Sequence, residues 1–177
     1  MPRGGGQRLK LGDPNYFSIR LGKRVLDKDL APSGSVPVYS ANVTEPFGYL
    51  DKTLFEDFSM PSVLWGIDGD WMVNYLPADI PFYPTDHCGV LRSNSDLVNP
   101  RYLAHVLEVA GSQARFSRTY RASTDRIAGL TIQIPPANEQ NKAIAQVIEL
   151  EKQISELENH LEELSTKRSK IIQEFLG

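Results

Sequence analysis

Apolar side chains recur every 3.5 residues along the last quarter of the chain. Val147, Leu150, Ile154, Leu157, Leu161, Leu164, Arg168, Ile171 and Phe175 are separated by alternating steps of three and four, and Arg168 is the one interruption. Glutamates and lysines fill most flanking positions. A 3.5-residue period held over four heptads predicts a coiled coil rather than the surface helix of a globule. As a single helix, residues 138–176 would extend about 58 Å at a rise of about 1.5 Å per residue. The rest of the chain is too short to line such a rod, so the seam calls for a partner helix, from a second copy or from another protein. Arg168 would set register or orientation if that partner offers an acid opposite it.

The pattern upstream is different, and it changes at IQIPPANEQ. All twelve prolines lie at or before Pro136, and the one glycine beyond it is the last residue. Pro135–Pro136 cannot lie inside a helix and so mark its limit, with Asn138 as the expected N-cap and Glu139 suited to the helix dipole. This places a globular body over 1–136 and a long helix over 137–177. Within the body, SVPVYSANV, PFGYLD, SVLWGIDGDWMVNYL and DHCGVLRS carry aromatic and β-branched residues broken by Gly, Pro and Asp, which predicts strands. LVNPRYLAHVLEVAGSQ predicts a helix capped by Asn99, with Pro100 at its first position, a buried face of Leu103, Val106, Leu107 and Ala110, and an end at Gly111. LTIQI (130–134) is the last strand. The fold class is therefore α+β, a mixed globule followed by a long C-terminal coiled-coil helix.

Composition adds less than distribution. The chain has 177 residues, 41% of them hydrophobic, and a formal net charge of −3. The single cysteine, Cys88, excludes an internal disulfide and fits a reducing setting. MPRGGGQRLKLGD has no apolar run of a signal peptide, and its triple glycine reads as flexible. No segment approaches the ~20 apolar residues of a membrane span, so a soluble, cytoplasmic protein is expected. By region the charge is uneven. Residues 1–28 hold seven Lys/Arg against two Asp, residues 29–100 two against ten acids, and residues 101–126 five Arg against two acids. If the two basic segments meet in space, they form a basic face that the total conceals.

Catalytic chemistry finds little support. DPNY (13–16) resembles the D/N-P-P-Y/F motif of amino-methyltransferases but has Asn15 at the third position and no glycine-rich cofactor loop nearby, so a turn is expected. Asp68 and Asp70 in GIDGDW lack the ligand spacing of a calcium loop. His87 and Cys88 are adjacent and point to opposite faces of a strand. One Cys and three His are too few for a structural zinc site, so no metal and no catalytic residue is assigned. The binding chemistry is richer. Lys23 and Arg24 in LGKRV suit phosphates, as do Arg118 and Arg121 in RFSRTYRAST. Asn42, Asp68, Trp71 and Asn74 are residue types that approach bases from loops, and Tyr120 can stack. Phe116 is expected to pack inward; were the segment helical, it would pair with Tyr120 at i, i+4.

Read in order, LGKR, PVYSANV–FGYLD, VLWGIDGDW, PTDHCGVLR, RFSRTYRAS–RIAGLTIQIPP and EQNKAIA resemble one half of the specificity subunit of a type I restriction–modification enzyme. The resemblance runs from KLGD to the C-terminus. It implies a target-recognition domain that reads one half of a split double-stranded DNA target, followed by a conserved spacer helix. It also implies docking to methyltransferase (M) subunits and, through the complex, to the restriction (R) subunit. S-adenosylmethionine and ATP with Mg²⁺ belong to those partner subunits, so this chain carries no cofactor and is not itself an enzyme. The full subunit has two such units in tandem. One unit with an open seam implies self-association, two antiparallel copies restoring the two-domain shape. Rival readings are a coiled-coil interaction module without DNA binding, a methyltransferase using DPNY, and the recognition part of a fused restriction–methylation enzyme.

Overall fold

The computed structural model describes residues 6–176. The MPRGG start of the chain and the terminal glycine lie outside them. Nine strands and three α-helices follow in order: β1 (Gln7–Lys10), β2 (Phe17–Leu21), β3 (Val36–Tyr39), β4 (Gly48–Leu50), β5 (Ser62–Gly66), β6 (Val73–Leu76), β7 (Tyr83–Pro84), β8 (Cys88–Ser93), α1 (Pro100–Gln113), α2 (Thr124–Gly129), β9 (Thr131–Ile134) and α3 (Ala137–Leu176). A single 3-10 turn, Asp27–Asp29, lies between β2 and β3. The chain forms two compact units, one through Gln140 and one from Asn141 onward. The fold is α+β with a long C-terminal helix.

Three sheets build the first unit. The largest has the order β2-β8-β5-β6 and is antiparallel throughout. β5 and β8 occupy its centre, which explains why SVLWG and CGVLRS are buried along their whole length. Alternation splits their side chains between two cores. Val63, Trp65 and Leu91 face a cluster with Leu9, Leu11, Leu103, Leu107, Ile127 and Ile132. Leu64, Cys88 and Val90 face a second cluster with Tyr39, Val43, Phe55, Leu76 and Phe82. A smaller sheet, β4-β3-β7, pairs β3 with β7 in parallel. β1 pairs antiparallel with β9, Leu9 opposite Ile132, and so joins the start of the body to its end.

Helix α1 begins as its sequence dictates. Asn99 Oδ1 accepts hydrogen bonds from Arg101 N at 2.9 Å and Tyr102 N at 3.2 Å, and Pro100 occupies the first turn. Its end differs from expectation. Gly111 does not stop the helix, which runs on to Gln113. The glycine is there for space: a Cβ on it would lie 2.2 Å from the indole carbons of Trp71. The fully buried face is Leu103, Ala104, Leu107 and Gly111, with Val106 and Ala110 half-buried beside it.

Asn138 is not the N-cap of α3. The helix starts at Ala137, and Pro136 O accepts from both Glu139 N (2.9 Å) and Gln140 N (3.1 Å). A proline carbonyl closes the first turn because the ring lacks only the donor, not the acceptor. Asn138 therefore sits inside that turn, and Glu139 is its acidic residue. Gln140 is fully buried: Oε1 accepts from Asn99 N at 2.8 Å, and Nε2 donates to Leu97 O and Pro135 O, each at 2.8 Å. One carboxamide thus ties the cap of α1 to the proline step.

Along the second unit, α3 leaves its apolar seam open. Leu150, Ile154, Leu157, Leu161, Leu164, Ile171 and Phe175 are exposed, Arg168 among them, and Val147 is half-buried. Glu149 and Gln153, and Lys152 and Glu156, pair at i, i+4 on the polar surface. Among the described residues no helix is long and apolar enough to cross a membrane.

Candidate nucleic-acid interface

One surface of the first unit collects the loops that carry the expected binding residues. The β5–β6 turn brings Asp68, Asp70 and Trp71, and its reversal passes through Gly69 at φ +93°. The β3–β4 loop brings Asn42, and the turn before β8 brings Asp86 and His87. Lys23 and Arg24 leave β2 exposed, with Lys23 N donating to Pro84 O at 3.1 Å. Two adjoining concavities lie between these loops. Arg24 and Asp86 line one and Asp68 and Arg118 the other, while Ser40 and His87 belong to both.

RFSRTYRAS (115–123) forms a loop, not a helix, between α1 and α2, and Thr124 opens α2. Arg115 turns the chain out of α1 at φ +60°. Ser117 and Tyr120 then close a tight reversal, N to O in both directions at 3.0 and 3.1 Å. The i, i+4 partners expected of a helix meet all the same. The Phe116 and Tyr120 rings stack with centroids 5.6 Å apart, and Phe116 continues onto Trp71 at 5.2 Å. The Arg126 guanidinium lies 4.1 Å from the Tyr120 centroid. Phe116 is buried, Tyr120 exposed. The base of the loop is tied to β5, since Trp65 Nε1 donates to Ala122 O at 2.8 Å and Ala122 N to Ile67 O at 3.1 Å.

Its arginines are not equivalent. Arg121 grips Asp68 with a two-pronged contact, Nη2 to Oδ2 at 2.9 Å and Nε to Oδ1. The same carboxylate accepts from His87 Nδ1. Burial works against the charge on Asp68, but the hydrogen bonds from His87 and Arg121 outweigh it and hold the carboxyl below its usual range. Arg118 is looser. Its Nε is 3.7 Å from Asp70 Oδ1, and both side chains are about three-quarters exposed, at 78% and 75%. Such a pair contributes little and yields easily to another anion.

Three further residues have their polar groups committed within the fold. Asn42 Oδ1 accepts from Thr44 N, Thr44 Oγ1 and Glu45 N, a local turn that fixes the β3–β4 loop. Asn74 Nδ2 donates to Val43 O at 2.7 Å and holds the same loop from β6. Trp71 Nε1 donates to Glu108 O at 2.9 Å while its ring lies on Gly111. Arg24 and Arg118, one from each basic segment, line neighbouring concavities, and Asp68 and Asp86 are interleaved with them, so the surface there is of mixed sign. DPNY is a turn: Asp13 Oδ1 accepts from Asn15 N, and Asp13 O from Tyr16 N and Phe17 N. Among the described residues no group of three or more His, Cys, Asp or Glu side chains is placed to hold a metal ion. The sequence assigns no binding role to His87, Arg126 or Gln140: Asp68 lies 19 residues from His87 and Leu97 43 from Gln140, whereas Arg126 meets only its near neighbours Arg121 and Tyr120.

Known proteins place this geometry. The chain matches the family model described as the type I restriction modification DNA specificity domain over residues 14–165. No curated protein matched the sequence. The fold is similar to the type I restriction–modification S subunit of M. genitalium, with a TM-score of 0.68 at 15% identity over 93% of this chain and 44% of that one. It is similar also to the HsdS subunit of Thermoanaerobacter tengcongensis, with a TM-score of 0.64 at 15% identity over 88% and 39%. A chain from a structure addressing complex assembly and conformational transition of the type I R-M system gives 0.61 at 17% identity over 89% and 40%. This chain therefore spans about two fifths of the length of those it matches. At such identities the structures establish the fold, and the match over most of the chain establishes the kinship. Specificity subunits of this kind are generally non-catalytic. The chain belongs to the type I restriction modification DNA specificity domain family.

Proposed function

We propose that the first unit reads one half of a split double-stranded DNA target and that the chain as a whole, without catalysis of its own, positions methyltransferase and restriction subunits on it. S-adenosylmethionine and ATP with Mg²⁺ then belong to those subunits. Lys23, Arg24 and Arg118 contact phosphates. Arg121 and Asp68 hold the recognition loop in shape, Tyr120 stacks at its edge, and Asn42, Trp71 and Asn74 support the loops behind it. The observation that carries this reading is the surface where Arg24 and Arg118 each line one of two adjoining concavities built by five loops, in a chain of the DNA specificity family.

The open seam of α3 supports self-association. Seven exposed apolar residues at heptad spacing demand cover, and a second copy supplies an identical seam. Two copies running antiparallel would read a symmetric split site. Sedimentation of the full chain at micromolar concentration tests this: a dimer is expected, and a strict monomer refutes it.

DNA binding is tested by titrating duplexes into the full chain assembled with its methyltransferase subunits at several salt concentrations. Arg118→Ala is expected to weaken binding to all sequences and to flatten the log–log salt slope by about one unit. Unchanged affinity and slope would remove Arg118 from the phosphate set, and absence of DNA binding by the wild-type assembly would favour a protein-interaction module.

A further inference from the structure

We propose that His87 is a specificity-determining residue of this surface, presenting its Nε2 edge to a base in the major groove. The inference rests on the DNA-reading function above and names a residue within it.

Three contacts fix His87 in place. Its backbone N–H donates to Thr85 Oγ1 at 3.3 Å, and its carbonyl accepts from Ile67 N at 3.0 Å. Thr85 Oγ1 in turn donates to Ser40 Oγ at 3.1 Å. The ring is held by Asp68, which is itself clamped by the Arg121 fork. A side chain that is to read a base must be held this way, because a mobile one spends its binding energy on ordering.

The ring is nonetheless available. It is half-exposed, with 49% of its side chain open, and it borders both concavities, the one beside Arg24 and the one beside Arg118. The cations that would hold phosphates thus flank it on either side. Asp68 is an acceptor, so Nδ1 carries the proton that it receives. In its neutral form the ring then offers Nε2 as an acceptor. Asp86 Oδ1, at 3.9 Å, is beyond hydrogen-bond reach of it. In the major groove an acceptor pairs with the exocyclic amino group of adenine or cytosine. By contrast, Asn42, Trp71 and Asn74 have donors or acceptors already satisfied inside the protein.

The test is site selection from a random duplex library by the full chain assembled with its methyltransferase subunits, comparing wild type with His87→Ala and His87→Gln. His87→Ala is expected to lose discrimination at one position of the half-site, by about 5- to 150-fold, with the salt slope and the other positions unchanged. Replacing the adenine or cytosine at that position by an analogue lacking the amino group should weaken wild-type binding and leave His87→Ala unaffected. His87→Gln, which restores an acceptor, should recover part of the discrimination. A wild-type assembly that selects a site which His87→Ala selects equally well overturns this assignment alone. A wild-type assembly with no sequence preference overturns the DNA-reading function with it. An amino-lacking analogue tolerated by wild type overturns the acceptor role.

Discussion

Replacing Gln140 by leucine keeps the side chain close in volume and removes its hydrogen bonds. In the native structure the carboxamide is fully buried and makes three bonds of 2.8 Å, to Asn99 N, Leu97 O and Pro135 O. Each is worth about 1 kcal/mol net, and a backbone group left without a partner costs about 1–3 kcal/mol according to how much water reaches it. Leu97 is exposed and Pro135 and Asn99 are half-buried, so the three backbone groups recover part of their hydration. Leucine returns about 1 kcal/mol through apolar burial. The expected loss is about 2–3 kcal/mol. Urea unfolding followed by the fluorescence of Trp65, fully buried in the core, and Trp71, half-buried against it, measures it. A loss below about 0.5 kcal/mol would refute the reasoning, since the three bonds would then have no net role. An unchanged m-value would show that the loss lies in stability and not in a change of the unfolded ensemble.

Other outcomes follow from single contacts. Gly111→Ala adds a helix-favouring residue worth about 1 kcal/mol but places a Cβ 2.2 Å from Trp71, whose indole N–H is fixed to Glu108 O; a net loss of about 1–3 kcal/mol is expected by thermal melting, and a raised Tm would refute it. Cys88 has no exposed surface and burial pushes its thiol far above the ordinary range, so iodoacetamide should label it only after denaturation; labelling of the native protein would contradict its place in the core. Asp68 has a depressed carboxyl, so its hold on Arg121 should be complete above the ordinary carboxylate value of about 3.9 and be lost as pH falls through the lower folded value; the Arg121 Nε–H signal in NMR should therefore persist at pH 5, and its loss there would refute the pairing.

What could be read from the sequence was what depends on near neighbours or on a long period. The heptad seam needs only spacing, the cap at Asn99 only the two residues after it, and the strands at SVLWG and CGVLRS only their β-branched and aromatic residues; the burial of Ser62, Arg92 and Ser93 with them depends on the sheet around them and was not legible. β1 and β2 escaped: QRLK holds a single apolar residue, and FSIRL, although it alternates apolar and polar, is short and buries only Phe17, its strand depending on the pairing with β8. β1 is a strand because Thr131–Ile134 lies beside it, and that pairing spans most of the body. α2 has six residues, less than two turns, so no period can announce it. Gly111 read as a stop signal because glycine usually is one; the ring that needs its space comes from Trp71, forty positions earlier in the chain.

The same limit governs the binding face, and there it has a chemical consequence. By composition, Arg118 and Arg121 are two cations of one basic segment. In the structure each has a carboxylate from the β5–β6 turn behind it, but the two pairs differ in kind. The Arg121–Asp68 fork is bidentate, with Asp68 shared with His87, and a phosphate that displaced it would leave a partly buried carboxylate facing an imidazole alone. The Arg118–Asp70 pair is a single contact at 3.7 Å between exposed groups, and a phosphate that displaced it would expose nothing new to desolvation. Exchange is therefore cheap at Arg118 and costly at Arg121. On the proposed DNA face this separates affinity from shape. Arg118 carries the salt-dependent attraction, while Arg121 keeps Asp68, and through it the His87 ring, in one orientation whether or not DNA is bound.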